Sequence, residues 1–242
     1  MEKCKVIAIT NQKGGVGKTT TTVNLGVGLV TAGKKGLLVD ADPQGSLTVS
    51  LGVKNPDALD VSLSSLMQSV MEDERLSGNV IIKHKEGVDL LPSNIELSGI
   101  ETELFNVMSR EYVLKNAIEG MKQNYDYILI DCMPSLGMMT INALVAADSV
   151  IIPSQPNFLS TKGLNLLLRS ISKIRRQISP RLKIDGILLT MESACIAYVT
   201  RSLPACRIRL PMCFGRAYVC ATKRAVRPPE FGALCHRVPS ES

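Results

Sequence analysis

Residues Lys5-Val6-Ile7-Ala8-Ile9-Thr10-Asn11-Gln12-Lys13-Gly14-Gly15-Val16-Gly17-Lys18-Thr19-Thr20 run from a β-branched apolar segment into a Gly/Lys loop. A pattern at helical spacing, Val23, Gly26, Val27 and Val30, follows at once. Strand, loop and helix in that order predict one unit of a parallel α/β sheet. The loop reads as a Gly-x-x-x-x-Gly-Lys-Thr phosphate cradle. Its glycines let backbone N–H groups face phosphate oxygens, and the following helix N-terminus adds its positive end. Lys18 then reaches the β/γ-phosphates and the Thr19 hydroxyl ligates Mg²⁺. The predicted nucleotide site is therefore Lys13, Gly14, Gly15, Val16, Gly17, Lys18, Thr19 and Thr20, with ATP and Mg²⁺ as the bound species. A second lysine, Lys13, stands inside the loop. Two ammonium groups so close repel unless an anion lies between them, and a triphosphate is the natural one.

Carboxylates stand at two further strand ends. Asp40 and Asp42 follow Gly36–Val39, and Asp131 follows Tyr127–Ile130. In a parallel sheet these ends gather at the edge that carries the phosphate loop. There a carboxylate can hold the Mg²⁺ shell or position the attacking water, the two tasks that phosphoryl transfer leaves to side chains.

Outward from this edge the chain keeps alternating. Strands are expected at Lys5–Thr10, Gly36–Asp40, Val88–Leu91, Tyr127–Asp131, Ser149–Pro153 and Ile184–Thr190. Helices are expected over Leu59–Met71, Ile95–Leu104, Glu111–Lys122 and Met138–Ala146, and where Leu164, Leu167, Leu168, Ile171, Ile174 and Ile178 recur. Strands apolar throughout, alternating with helices, imply a mostly parallel twisted sheet covered on both faces. Gly36, without a side chain to pack, weakens the strand it opens.

These segments carry a resemblance. Lys13–Thr20, Val39-Asp40-Ala41-Asp42-Pro43-Gln44-Gly45, Tyr125–Gly137 and Ala146–Pro153 are similar to the ParA family of partition ATPases. That family belongs to the deviant Walker A class of P-loop NTPases, which also contains MinD. The likeness covers about residues 4–191. It implies that Lys13 is the signature lysine, reaching across an ATP-sandwiched homodimer to the partner's phosphates. It implies Asp42 at the hydrolytic water, Asp131 acting on Mg²⁺ through water as the Walker B aspartate, and Asp40 as a supporting carboxylate. Lys13, Lys18 and Asp42 are then catalytic, and Thr19, Asp40 and Asp131 form the metal side. Members hydrolyse ATP, coat DNA non-specifically and release it when a ParB-like partner stimulates hydrolysis. DNA segregation in the cytoplasm, on the nucleoid, is the implied role.

Composition narrows the alternatives and exposes a break. A chain of 242 residues, 45% hydrophobic and 21% charged, can bury a core, which excludes a disordered or collagen-like protein. Lacking an apolar run near the ~18 residues that span a bilayer, it reads as cytosolic and free of membrane. The net charge of +6 is uneven. Residues 1–190 hold 20 Lys and Arg against 19 Asp and Glu, whereas residues 191–242 hold 8 against 3, with five of the seven cysteines and no Asp. After Leu188-Leu189-Thr190-Met191 the family pattern is lost. The expected division is therefore 1–191, a P-loop ATPase domain, and 192–242, a Cys/Arg/Pro-rich tail that reads as frameshifted and not as a domain. Cys206, Cys213 and Cys220 recur every seven residues without a Cys-x-x-Cys pair, a poor zinc spacing. Pro228 and Pro229 interrupt the amphipathic helix that a MinD-like membrane cycler would need. The cluster cysteines of a nitrogenase-type iron protein are not recognisable, and Cys132 reads as a small buried hydrophobe.

Overall fold

The computed structural model describes residues 4–74, 78–155 and 158–190. Its strands are β1 (Lys5–Ile9), β2 (Gly36–Ala41), β3 (Ile82–Lys83), β4 (Asp89–Leu91), β5 (Tyr127–Cys132), β6 (Ser149–Ser154) and β7 (Lys183–Leu189). Its α-helices are α1 (Lys18–Thr31), α2 (Ser46–Ser50), α3 (Leu63–Met71), α4 (Leu97–Glu103), α5 (Val113–Glu119), α6 (Met138–Ala146) and α7 (Phe158–Gln177). The strands form one sheet in the order β3-β4-β2-β5-β1-β6-β7, parallel throughout except for the short β3. The predicted fold class, a P-loop NTPase-like α/β sheet with helices on both faces, is the one observed.

Side-chain alternation along each strand divides the core in two. Val6, Ala8, Leu37, Val39, Ile128 and Ile130 point to one face, where α3, α5, α6 and α7 cover them. Ile7, Ile9, Leu38 and Leu129 point to the other, where Val27 of α1 and Leu47 of α2 pack. Successive strand residues face opposite ways, so a strand buried on both sides must be apolar at every position. That is why these strands lack the alternation of a half-exposed sheet. On the second face α1 lies very close to β2: a Cβ at Gly26 would stand 2.5 Å from Leu38 Cδ2.

Several boundaries differ from the sequence reading. The helix expected from Leu59 begins at Leu63, because Pro56–Ala58 forms a 3₁₀ turn and Ser62, in extended backbone, caps the helix. The Ser62 N–H donates to Ser65 Oγ at 3.3 Å. The helix expected over Glu111–Lys122 shortens to α5, flanked by 3₁₀ turns at Arg110–Tyr112 and Lys122–Asn124. Helix α7 begins at Phe158, ahead of the first periodic leucine. Helix α2 and strand β3, of five and two residues, had no predicted counterpart because neither is long enough to show a period. Thr190 lies past β7 but still donates its N–H to Ser154 O at 3.0 Å. The tail after Met191, with its cysteines and arginines, lies outside the described residues. Among those residues no helix is long and apolar enough to cross a membrane.

Candidate functional site

The carboxyl ends of β1, β2 and β5 lie side by side, with Ile9 opposite Asp131 and Asp40 opposite Asp131. The chain leaves β1 through Thr10–Gly17 and enters α1 at Lys18. Gly15 and Gly17 hold φ of +69° and +84°, left-handed backbone that favours glycine and turns N–H groups to the concave side of the loop. Gln12, not glycine, stands five residues before Gly17. The cradle is therefore Lys-Gly-Gly-x-Gly-Lys-Thr and departs from the Gly-x-x-x-x-Gly-Lys-Thr spacing at its first position. Nothing lies within 4 Å of where a Cβ at Gly14 or Gly15 would be, so the loop faces open space.

The predicted residues converge here. Lys18 is buried and donates from Nζ to Lys13 O at 3.3 Å. Burial holds its ammonium below the usual lysine range, opposed by the nearby Asp131 and Asp42 carboxylates. Thr19 Oγ1 donates to Asp131 Oδ2 at 2.6 Å, and Thr22 Oγ1 lies 3.2 Å from Asp131 Oδ1. Asp131 is 2% exposed. Burial pushes its carboxyl up to about 7; Asp40 adds to the rise, while Thr19, Lys18 and Thr22 oppose it. A hydroxyl and a carboxylate in contact beside a buried lysine form a donor set suited to a hard cation on a phosphate chain. The residues present therefore fit Mg²⁺ and ATP. Val16 is buried and Thr20 exposed on the first turn of α1.

Asp40 is fully buried and its carboxylate is engaged by the protein. Oδ2 accepts the Thr48 N–H at 2.8 Å and the Thr48 hydroxyl at 2.7 Å, and Oδ1 accepts the Asp42 N–H at 3.3 Å. Burial pushes its carboxyl up to about 6, against these hydrogen bonds. Asp42, two residues on, is half-buried, with Oδ1 accepting from the Gln44 N–H at 3.0 Å. Asp40 thus anchors the turn that presents Asp42 at the sheet edge. Cys132, next to Asp131, is buried, and burial pushes its thiol well above the usual range. His84 closes the β3–β4 turn, its Nδ1 accepting the Glu86 N–H at 3.2 Å.

Three residues that brace the loop have no role in the sequence reading. Asn11 is buried; its Nδ2 donates to Pro153 O at 2.7 Å and its Oδ1 accepts the Lys13 N–H at 3.0 Å. Gln155 Oε1 accepts from Lys13 Nζ at 2.8 Å. Thr190 Oγ1 donates to Val16 O at 2.7 Å. Together they tie the phosphate loop sideways to the ends of β6 and β7. Asn11 lay in plain view inside the quoted loop, but the partners of Gln155 and Thr190 are distant in sequence and leave no local signal.

Residues 4–184 match the family model described as an AAA domain. The chain is 47% identical over 190 residues to the sporulation initiation inhibitor protein Soj of Bacillus subtilis, covering 78% of this chain and 74% of that one. It is 42% identical over 189 residues to the chromosome partitioning protein ParA of Caulobacter vibrioides, covering 77% and 69%. Among solved structures, cobyrinic acid a,c-diamide synthase from Mycobacterium smegmatis, with bound ADP and magnesium, superposes with a TM-score of 0.82 at 38% identity. That match covers 96% of this chain and 90% of the other.

Proposed function

The chain belongs to the AAA-domain family of ParA/Soj-type P-loop ATPases, with ATP as substrate and Mg²⁺ as its metal, and from that membership we propose a nucleotide-driven DNA-partition cycle. In it the chain dimerises on ATP and is reset by a ParB-like partner that stimulates hydrolysis, while its non-specific hold on DNA is weakened by the loss of the family pattern after Met191. The observation that carries this reading is the second lysine. Lys13 lies half-buried on the rim of the loop with its ammonium directed to Gln155, while Lys18 occupies the interior. One lysine suffices to hold a phosphate chain, so a second at the rim has its natural use against a nucleotide approached from outside.

In the proposed arrangement the backbone N–H groups of Gly14–Thr20 and the Lys18 ammonium hold the phosphates. The Thr19 hydroxyl and Asp131 would hold Mg²⁺, which would supply neutralising positive charge beside the phosphates. Asp42 orients the attacking water, and Asp40 supports Asp42 through the shared turn instead of touching the metal. Preorganised charge of this kind lowers the barrier because no reorganisation is needed as the phosphoryl group transfers.

The test is self-association by sedimentation, with ATP, ADP or neither, for the parent and Lys13→Ala. The parent should associate with ATP only, and Lys13→Ala should remain monomeric while keeping ATP affinity within about threefold, because Lys18 makes the interior contact. An ATP-independent oligomer, or none in the parent, would overturn the dimer. A second reading is a chain that binds nucleotide without completing the cycle. It is supported by the family match stopping at residue 184 and the Soj likeness spanning 190 of 242 residues. Reading the nucleotide sequence past codon 190 in all three frames tests it: a family-like continuation in another frame favours the non-cycling product, and its absence counts against it.

A further inference from the structure

Lys13 is tied to the β6 edge at both ends, directly through its ammonium and by way of Asn11 through its backbone. Its backbone N–H is taken by Asn11, which itself grips Pro153 O, and its ammonium lies 2.8 Å from Gln155 Oε1. Gln155 follows β6 directly. Its Nε2 also faces Gly15 O at 3.4 Å. A lysine ammonium can only donate and a carbonyl can only accept, so the Gln155 amide fits between them in one orientation, oxygen to Lys13 and nitrogen to Gly15. A single neutral side chain thus bridges the rim lysine and the loop backbone.

Charge decides what such a bridge can do. A neutral amide orients the ammonium without neutralising it, so a phosphate can still draw it away. A carboxylate in the same place would hold the lysine through a charge-assisted bond roughly twice as strong. We infer that Gln155 is a positioning residue that parks Lys13 against its own protomer until a phosphate draws it away. Gln155 thereby sets the threshold at which Lys13 becomes available to a partner's nucleotide. The inference rests on the reading of Lys13 as the lysine that acts across the dimer.

The experiment uses the full chain without nucleotide. Trace acetylation with acetic anhydride is read by mass spectrometry as Lys13 labelling relative to Lys85, which is exposed on the β3–β4 turn. Gln155→Ala should raise the Lys13 ratio about threefold and Gln155→Glu should lower it by a similar factor, as expected for losing a hydrogen bond and for gaining a charged one. The opposite signs separate parking from general loosening, which would raise labelling in both variants. Ratios that move the same way, or that stay at the parent value, overturn the inference. Sedimentation then follows with ATP: Gln155→Ala should shift self-association to lower protein concentration and Gln155→Glu to higher, with neither shift surviving in a Lys13→Ala background. Shifts that persist without Lys13 also overturn the inference. A parent that fails to associate with ATP removes the dimer reading alone, because the labelling ratios still judge the parking contact.

Discussion

Asp42 and Asp40 show how two carboxylates of one short turn acquire different surroundings. Asp40 is fully buried with both oxygens accepting from Thr48 and Asp42, so it has little left to offer a ligand. Asp42 is half-buried and, among the described residues, its side chain accepts only locally, from Gln44, through Oδ1. A residue that orients water acts mainly in the transition state. Asp42→Ala should therefore slow single-turnover hydrolysis by about 100-fold or more while leaving nucleotide affinity within about threefold. Lys18→Ala should instead lose binding itself. Equal losses of rate and affinity in Asp42→Ala would make Asp42 a metal or structural residue. At this scale the motif residues were legible because their chemistry is local: Lys18, Thr19 and Asp131 were named from spacing and meet in space. The residues that brace them were not. The Lys13–Gln155 and Val16–Thr190 contacts join positions 142 and 174 residues apart, and only the sheet order brings them together.

Elements longer than two turns, or strands buried on both faces, were legible because each repeats its signal several times. The apolar spacing over Met138–Ala146 predicts the bounds of α6 itself, whereas α2 and β3 are too short to repeat a period. The closeness of α1 to β2 was also hidden, since it depends on one helix residue lacking a side chain. It leads to a paired prediction on two glycines. At Gly26 an added Cβ would lie 2.5 Å from Leu38 Cδ2, and Leu38 is fully buried and cannot swing out. The helix propensity gained by Gly26→Ala, about 1 kcal/mol, is outweighed by overpacking of about 1–3 kcal/mol. Net destabilisation follows. At Gly36, by contrast, the nearest atom to an added Cβ is Val30 Cγ2 at 3.6 Å, ordinary contact, and the backbone is not left-handed. Gly36→Ala should stabilise by about 0.4–1 kcal/mol through the unfolded chain. Urea unfolding of both variants checks the pair, and a stabilised Gly26→Ala would show that the α1–β2 contact yields more easily than its geometry indicates.

For the whole molecule the open question is where its positive charge does its work. Residues 1–190 are nearly neutral in sum, and the surplus lies after Thr190. Within the described residues the basic character concentrates on α7. There Leu164, Leu167, Ile171 and Ile174 face the core while Arg169, Lys173 and Arg176 are exposed and Arg175 is half-buried. An exposed basic helix face is most often simply solvated. The tail offers Arg201, Arg207, Arg209, Arg216, Lys223, Arg224, Arg227 and Arg237 as possible phosphate contacts. By the family resemblance, DNA binding follows ATP because dimerisation aligns basic residues of a C-terminal region whose pattern this sequence lacks. Charge that is merely present along a chain binds DNA whether or not ATP is there, and salt weakens it. The expectation is weak, ATP-independent retention on non-specific duplex DNA, carried by the tail. Retention should be measured with ATP, ADP and no nucleotide over a salt series. The proteins compared should be the full chain, a variant with Arg201, Arg207, Arg209 and Arg216 changed to Ala, and one with Arg169, Lys173 and Arg176 changed to Ala. The tail variant should flatten the dependence of log affinity on log salt by about one unit of slope for each phosphate it no longer neutralises, and the α7 variant should leave it unchanged. Tight retention seen only with ATP would mean that residues after Thr190 complete a working DNA surface, and the frameshift reading of the tail would then fall.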